Sequence, residues 1–302
     1  TIGGDDTNGA AKKLYETHNI PVIGFPKTID NDLRTKTIHH YNGKEIEAVL
    51  CPGFPSAAKA VAEFTGRLRT TAESHNRIFV MEVMGRNAGW LTGSAIFGGS
   101  NIALIPEIEM NKERKERFFQ TIEKAYRDSP TKSLIIPVSE GVRWYDEEKQ
   151  KLDVVYASSE VDEYGHPRFG GISGKIASEI NKKLGIDARA QISGYYPRAG
   201  TCRKYDRKLT LTLADKIVDL LLREDYGKMP VMDKIVPYIE VEEFHTKAID
   251  MGNVGNKPLP KDYYDEDNFC FTDAYHNLLT MIIRRLRFKE FLPELRRVKP
   301  QV

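Results

Sequence analysis

The sequence is poor in cysteine: Cys51, Cys202 and Cys270 stand far apart among 302 residues, with no C-x-x-C pair. That spacing offers neither a disulfide framework nor a cysteine zinc site, and it reads as three reduced thiols of a cytoplasmic protein. An excess of one charge is also lacking. The 45 basic and 43 acidic residues nearly cancel, so no global field points to nucleic acid or a membrane surface. No apolar run approaches the roughly 18 residues needed to span a bilayer. No G-x-G-x-x-G follows a predicted strand, which removes a dinucleotide-binding oxidoreductase. Internal repeats and low-complexity tracts are missing too.

What is present is organised around the first 32 residues, from Thr1-Ile2-Gly3-Gly4-Asp5-Asp6-Thr7 to Pro26-Lys27-Thr28-Ile29-Asp30-Asn31-Asp32. Between these two motifs lie a helical stretch, Asn8 to Thr17, and an apolar run, Ile20 to Phe25, that reads as a buried strand. The pattern is strand, loop, helix, strand, loop, with Gly, Thr and carboxylates at each strand end. Such crevices of parallel sheets hold phosphates. Asp5, Asp6, Asp30 and Asp32 would gather there with one lysine, Lys27, and that many anions need a cation; Mg²⁺ bridging to phosphate oxygens is the usual one. Thr1-Ile2 reads as the end of a strand, so a preceding N-terminal segment is expected, missing here or carried on another chain.

Further along, Arg34 to Gly53 reads as a polar loop near the site, and its adjacent His39 and His40 cannot both face one ligand on a regular element. Pro55 to Glu73 has the spacing of an amphipathic helix. Arg77 to Val83 is a predicted strand running into Met84-Gly85-Arg86-Asn87-Ala88-Gly89-Trp90, which opens a helix of small residues, Leu91 to Phe97. Asn101 to Pro106 reads as a short strand, Asn111 to Arg127 as a helix with a solvated charged face, and Ser133 to Val138 as a buried strand delivering Ser139-Glu140-Gly141. Val142 to Pro167 reads as a surface excursion.

Gly170-Gly171-Ile172-Ser173-Gly174-Lys175 fails as a nucleotide P-loop, being one residue short with Ile176 where Ser or Thr is required; Ser173 reads as a cap for a helix from Lys175 to Leu184. Asp187 to Ser193 is a strand leading to Gly194-Tyr195-Tyr196-Pro197-Arg198-Ala199-Gly200, and Lys208 to Asp225 a helix. Lys234 to Val241 reads as a strand, Glu242 to Asp267 as a long loop, and Thr272 to Leu292 as a terminal helix whose Arg284-Arg285-Leu286-Arg287 cluster faces solvent or a subunit.

Gly-Gly-Asp-Asp-Thr followed by Pro-Lys-Thr-Ile-Asp-Asn-Asp resembles the phosphofructokinase family, and its pyrophosphate-dependent branch in particular. The Met-Gly-Arg motif, the strand-end Glu140 and the Gly-x-x-x-Arg segment extend the resemblance to about residue 210. It implies an α/β fold of two Rossmann-like domains with parallel-rich sheets flanked by helices. Residues 1–40 and 197–302 would form the phosphoryl-donor domain, and 41–196 the sugar-phosphate domain.

The resemblance also implies roles. Gly4, Asp5, Thr7 and Lys27 would bind the donor, with Asp5 and Asp32 holding Mg²⁺; an Asp5 that merely caps the following helix is the plainer alternative. Asp30 would be the general base for the sugar 1-hydroxyl, beside Thr28. Arg86 would stabilise the transferring phosphoryl group, while Met84, Gly85 and Glu140 contact the sugar. Tyr195 and Arg198 would bind the sugar and its 6-phosphate; Tyr195 replaces the histidine of the ATP-using relatives, and Ala199 replaces a common glycine. Arg77 and Arg189 match arginines that reach the sugar phosphate from a neighbouring subunit, implying a homo-oligomer, dimer or tetramer. Local bonding at strand starts is the alternative for that pair.

The donor follows from Asp6 and Lys27. In the ATP branch both positions are usually glycine, leaving room for the α-phosphate. A carboxylate at residue 6 repels that phosphate, while the ammonium of residue 27 suits pyrophosphate and its orthophosphate leaving group. The expected reaction is Mg²⁺-dependent transfer from pyrophosphate to fructose 6-phosphate. An ATP-dependent 6-phosphofructokinase and a non-catalytic regulatory subunit are the competing readings.

Overall fold

A computed structural model describes residues 1–161 and 167–283. The short strand β1 (Ile2–Gly3) leads into α1 (Asp5–His18), which Asn19 ends in the left-handed conformation. Strand β2 (Phe25–Pro26) pairs parallel to β1 and is shorter than the apolar run before it. Residues 34–53 are not the expected loop: β3 (Thr37–Tyr41) and β4 (Lys44–Ala48) form an antiparallel hairpin. Its turn, Asn42 (φ 49°) and Gly43 (φ 76°), has the two positive φ values that favour Asn-Gly.

Helix α2 (Phe54–His75) starts after Gly53 with Pro55 in its first turn and buries Ala57, Ala58, Val61 and Ala62. Strand β5 (Ile78–Val83) is buried throughout. Beyond it come a one-turn helix α3 (Trp90–Gly93), continued by a 3₁₀ segment Ser94–Gly98, and α4 (Lys112–Asp128), capped by the Asn111 side chain. Only Leu104 of the expected strand 101–106 makes a bridge, to Val138. The charged face of α4 is not wholly solvated: Lys115 is 1% exposed, and its ammonium donates to the Tyr145 carbonyl at 2.8 Å.

Strand β6 (Leu134–Ser139) precedes a hairpin, β7 (Trp144–Asp146) with β8 (Lys151–Asp153), and the pair β9 (Tyr156–Val161) and β10 (Pro167–Phe169). Helix α5 (Ile172–Leu184) and strand β11 (Ala188–Ile192) follow. Ser173 does not cap α5; Gly171 does, and the helix end is satisfied by Glu82 of β5, which accepts from the Gly171 and Ser173 amides and from Ser173 Oγ at 2.9 Å. A buried carboxylate at a helix N-terminus is favourable.

Helix α6 (Lys204–Leu222) precedes β12 (Lys228–Met232), which lies before the expected strand 234–241; that stretch instead extends and then turns as a 3₁₀ segment, Tyr238–Glu243. The expected loop 242–267 holds β13 (Thr246–Asp250), antiparallel to β12, and the first strand of a small hairpin, β14 (Tyr264–Asp265) with β15 (Cys270–Phe271). Helix α7 (Asp273–Ile283) lies within the expected terminal helix 272–292; the arginine cluster at 284–287 lies outside the described residues.

Two parallel frames result. Strands β11, β5 and β6 lie side by side in that order, all parallel. Alternation sends Phe79, Met81 and Val83 into one apolar cluster with α2, and Ile78 and Val80 into another with α4 and α5. Beside this frame, the β1–β2 pair continues through a parallel bridge from Ile23 to Lys228 of β12. The β3–β4 hairpin straddles residue 40 and docks on β12, with Thr37 Oγ1 donating to the Met232 carbonyl at 3.0 Å. Among the described residues no helix is long and apolar enough to cross a membrane.

Candidate active site

The parallel strands deliver their loops to common edges, and there the candidate residues collect. Gly3 closes β1 and Gly4 precedes α1, so Asp5, Asp6 and Thr7 form the helix's first turn; neither carboxylate serves as its cap. A Cβ on Gly3 would lie 2.4 Å from Thr7 Oγ1, so this approach requires glycine. Asn8 is fully buried and its side-chain amide donates to the Gly3 carbonyl at 2.7 Å and the Gly4 carbonyl at 3.0 Å. The Lys27 amide donates to the same Gly3 carbonyl at 2.8 Å. Asp6 and Lys27, both exposed, are therefore anchored to one turn.

The acid loop is held just as firmly. The Thr28 amide donates to the Pro52 carbonyl at 3.1 Å, and Thr28 Oγ1 accepts the Asp30 amide at 3.1 Å. Asn31 is left-handed (φ 55°) and buried; its side chain donates to the Val49 carbonyl at 2.8 Å and accepts from the Cys51 amide at 2.9 Å. Asn tolerates this conformation better than most residues. One carboxylate oxygen of Asp30, Oδ1, is buried without a hydrogen-bond partner. Burial raises the Asp30 carboxyl above its usual range, opposed by the charges of Arg198 and Arg86. Burial pushes Asp32 up to about 7, helped by Asp30 and, more weakly, by Asp5 and Asp6. Burial, then Asp6, raises Asp5 as well. These four carboxylates feel one another.

The arginine loop leaves β5 through Gly85, whose φ of 139° and whose hypothetical Cβ, 2.8 Å from the Ala88 carbonyl, demand glycine. Its amide donates to Glu140 Oε1 at 3.4 Å, and the Gly141 amide donates back to the Gly85 carbonyl at 3.3 Å. Any side chain at Gly141 would strike the Arg86 carbonyl, 1.9 Å from an added Cβ. Glu140 is pushed up to about 7 by burial, with Asp30 raising it further and the Gly85 amide and Arg86 lowering it. Met84 packs partly buried against the core. Arg198 leaves the 3₁₀ turn Tyr196–Arg198 exposed, yet close enough to act on Asp30. Tyr195 is 78% exposed.

Electrostatic coupling thus links Arg198, Arg86 and Glu140 to Asp30, and Asp5, Asp6 and Asp30 to Asp32. Arg77 and Arg189 are elsewhere. Both pair with Asp187, at 3.3 and 2.9 Å, around the starts of β5 and β11. Asn8, Asn31 and Asp206 are the supports that sequence reasoning missed. Asp206 is buried and accepts the Gly53 amide at 2.8 Å and the Ser56 amide at 3.3 Å, closing the N-terminus of α2. Asn31 carries a sequence signal, Asn within an acidic turn; Asp206 carries none, because its partners lie 150 or more residues away.

Among the described residues no three His, Cys, Asp or Glu side chains converge as a metal cage. The donors present fit Mg²⁺, which keeps several waters and takes one or two carboxylates alongside substrate phosphates. Asp5 and Asp32, in a crowd of carboxylates without a matching number of cations, are suited to that share.

Comparison with known proteins adds the family. The phosphofructokinase family description matches residues 1–221. A pyrophosphate–fructose 6-phosphate 1-phosphotransferase of Streptomyces coelicolor is 37% identical over 230 residues, covering 76% of this chain and 61% of that protein. An ATP-dependent 6-phosphofructokinase of Corynebacterium efficiens is 38% identical over 213 residues, covering 69% of this chain and 54% of its own length. The chain therefore spans little more than half the length of these relatives. A crystal structure of a pyrophosphate-dependent phosphofructokinase from Nitrosospira multiformis superposes with a TM-score of 0.74 at 23% identity, over 97% of this chain and 70% of that one. The α/β fold with its parallel frames is accordingly the phosphofructokinase fold, and the chain belongs to the phosphofructokinase family.

Proposed function

We propose that this chain transfers a phosphoryl group from pyrophosphate to the 1-hydroxyl of fructose 6-phosphate, giving fructose 1,6-bisphosphate and orthophosphate. One observation carries the choice of donor: Asp6 and Lys27 are anchored to the same Gly3–Gly4 turn, beside Asp5. A carboxylate there repels the α-phosphate of a nucleotide, and the ammonium balances the compact charge of a diphosphate. Relatives with either donor match the chain, so the local residues decide.

The chemistry follows from the gathered groups. The Asp30 oxygen that lacks a partner accepts the proton of the sugar 1-hydroxyl as that oxygen forms its bond to phosphorus. Arg86, held by Gly85 and Gly141, balances charge on the moving phosphoryl group. Lys27 receives the orthophosphate that leaves, and Gly4 and Thr7 line the donor turn. Thr28, Met84, Gly85 and Glu140 position the sugar, with Tyr195 and Arg198 at its 6-phosphate. Asp5 and Asp32 are the residues that would hold Mg²⁺, which would neutralise donor charge. In this division residues 1–40 and 197–302 serve the donor and 41–196 the sugar, with the hairpin 37–48 riding on the donor half. Arg77 and Arg189 serve the site of a neighbouring subunit in a cytoplasmic homo-oligomer.

Purified protein given fructose 6-phosphate and Mg²⁺, with pyrophosphate or ATP in parallel, tests the reading. Turnover with pyrophosphate is expected, and turnover with ATP alone overturns the donor assignment. Asp6→Gly is expected to admit ATP weakly while slowing the pyrophosphate reaction.

A further inference from the structure

Residues 254–260 look inert in the sequence: no charge pattern or motif marks Val254-Gly255-Asn256-Lys257-Pro258-Leu259-Pro260, and they lie beyond the family match at 1–221. In the fold they run between the acid loop and the arginine loop. On one side the Lys257 amide donates to the Asp32 carbonyl, Asn256 bridges Leu33, and the Arg34 amide donates to the Gly255 carbonyl at 2.9 Å. On the other side the Lys257 carbonyl accepts from Trp90 Nε1 at 3.3 Å.

The second tie is a carboxylate. Glu107 accepts the Leu259 amide at 2.8 Å through Oε1 and the Gly89 amide at 3.0 and 3.1 Å through both oxygens. Gly89 lies three residues after Arg86, and an added Cβ there would sit 2.3 Å from Ile105 and 3.2 Å from Glu107, so the loop is seated against this carboxylate. Burial raises the Glu107 carboxyl, while the Leu259 and Gly89 amides oppose the shift. Among the described residues no arginine or lysine forms an ion pair with it; its partners are backbone amides of two separate segments.

We infer that Glu107 and the segment 254–260 form a brace fixing the distance between the acid loop of Asp30 and Asp32 and the loop of Arg86, and that Glu107 is a positioning residue for phosphoryl transfer. The inference rests on the proposed function. It has a physical basis: base and charge-stabilising group must be held together within a fraction of an ångström, and a misplacement of about 1 Å costs up to about a hundredfold in rate. Glu107 touches neither substrate nor reacting atoms. It acts through the Gly89 end of the arginine loop.

The test is a cycle of Glu107→Gln and Arg86→Ala in the full-length protein, with Trp90→Phe as a second variant that keeps the aromatic packing but removes the bond to Lys257. Glu107→Gln is expected to lower kcat about tenfold with KM for both substrates nearly unchanged, because the effect falls on the transition state. Trp90→Phe should do the same more weakly. In the Arg86→Ala background the Glu107 substitution should have no further effect on kcat. Additive losses in the cycle, or an unchanged kcat in a folded Glu107→Gln variant, overturn the brace. Amide hydrogen exchange at residues 84–90 reads the brace without catalysis: exchange should quicken in Glu107→Gln, and unchanged exchange overturns it even if the wild type turns over neither donor, a result that sinks the proposed function alone.

Discussion

Arg77 and Arg86 flank the same buried strand, β5, and live in different electrostatic worlds. At the start of the strand Arg77 and Arg189 share the half-exposed carboxylate of Asp187. Ion pairs of that kind in solvent contribute little. At the end, about 20 Å away for a strand of 6 residues, Arg86 stands with Asp30 and Glu140 where burial lifts both carboxyls. Strongly perturbed groups cluster at functional sites, although structural carboxylates such as Glu107 are raised by burial as well. The comparison teaches that the end of the strand gathers charges from several buried loops, while the arginines at its start find only a local, half-exposed partner in Asp187.

The largest break in that comparison is Asp30→Asn. It removes the proton acceptor, and turnover should fall by about a thousandfold or more while substrate KM values change little. The same substitution should raise the melting temperature, since a buried carboxylate oxygen without a partner is replaced by a neutral group; a lowered melting temperature would show that Asp30 has a structural partner.

A middle-sized effect is expected at Glu140. In the folded chain it titrates near 7, against 4.5 in the unfolded chain, so between these values the folded state binds more protons. Stability therefore falls as pH rises through that window and stays lowered above it. Glu140→Gln carries no charge to bury and should gain about 3 kcal/mol over the parent at pH 8 and almost nothing at pH 4, read from chemical denaturation. An equal change at both pH values would detach the effect from titration.

The smallest stability effect belongs to the outer pair. Arg189→Ala should shift unfolding by less than about 0.5 kcal/mol, yet raise KM for fructose 6-phosphate if a neighbouring subunit completes the site. Mixing dissociated Arg189→Ala and Asp30→Asn subunits should then restore activity, because hybrid sites pair an intact Asp30 with an intact Arg189. No recovery on mixing would confine both arginines to the local pairing with Asp187.

Much of this was legible in the residues. The long helices α2 and α6 follow from apolar periodicity, α4 from its charged face, and β5 and β6 from largely apolar runs, interrupted in β5 by Glu82. What escaped was set by partners far away in sequence. The strand at 228–232 carries a proline, Pro230, and short pairing on both sides; the 37–48 hairpin was hidden by polar residues although Asn42-Gly43 marks its turn. Ser173 resembles a cap, but Glu82 of another element does that work.

Sequence alone determined which groups this chain offers for chemistry: the residue types in the Gly-Gly-Asp-Asp-Thr and Pro-Lys-Thr-Ile-Asp-Asn-Asp motifs are local and can be read without the fold. Tertiary structure decided which of those charges meet. Parallel strands put the ends of β1, β2, β5 and β6 at common edges, burial raised Asp30, Asp32 and Glu140 together, and the segment at 254–260 joined two loops that no local pattern connects. Desolvation and non-local hydrogen bonding are properties of the packed chain, so no reading of neighbours along the sequence could have supplied them.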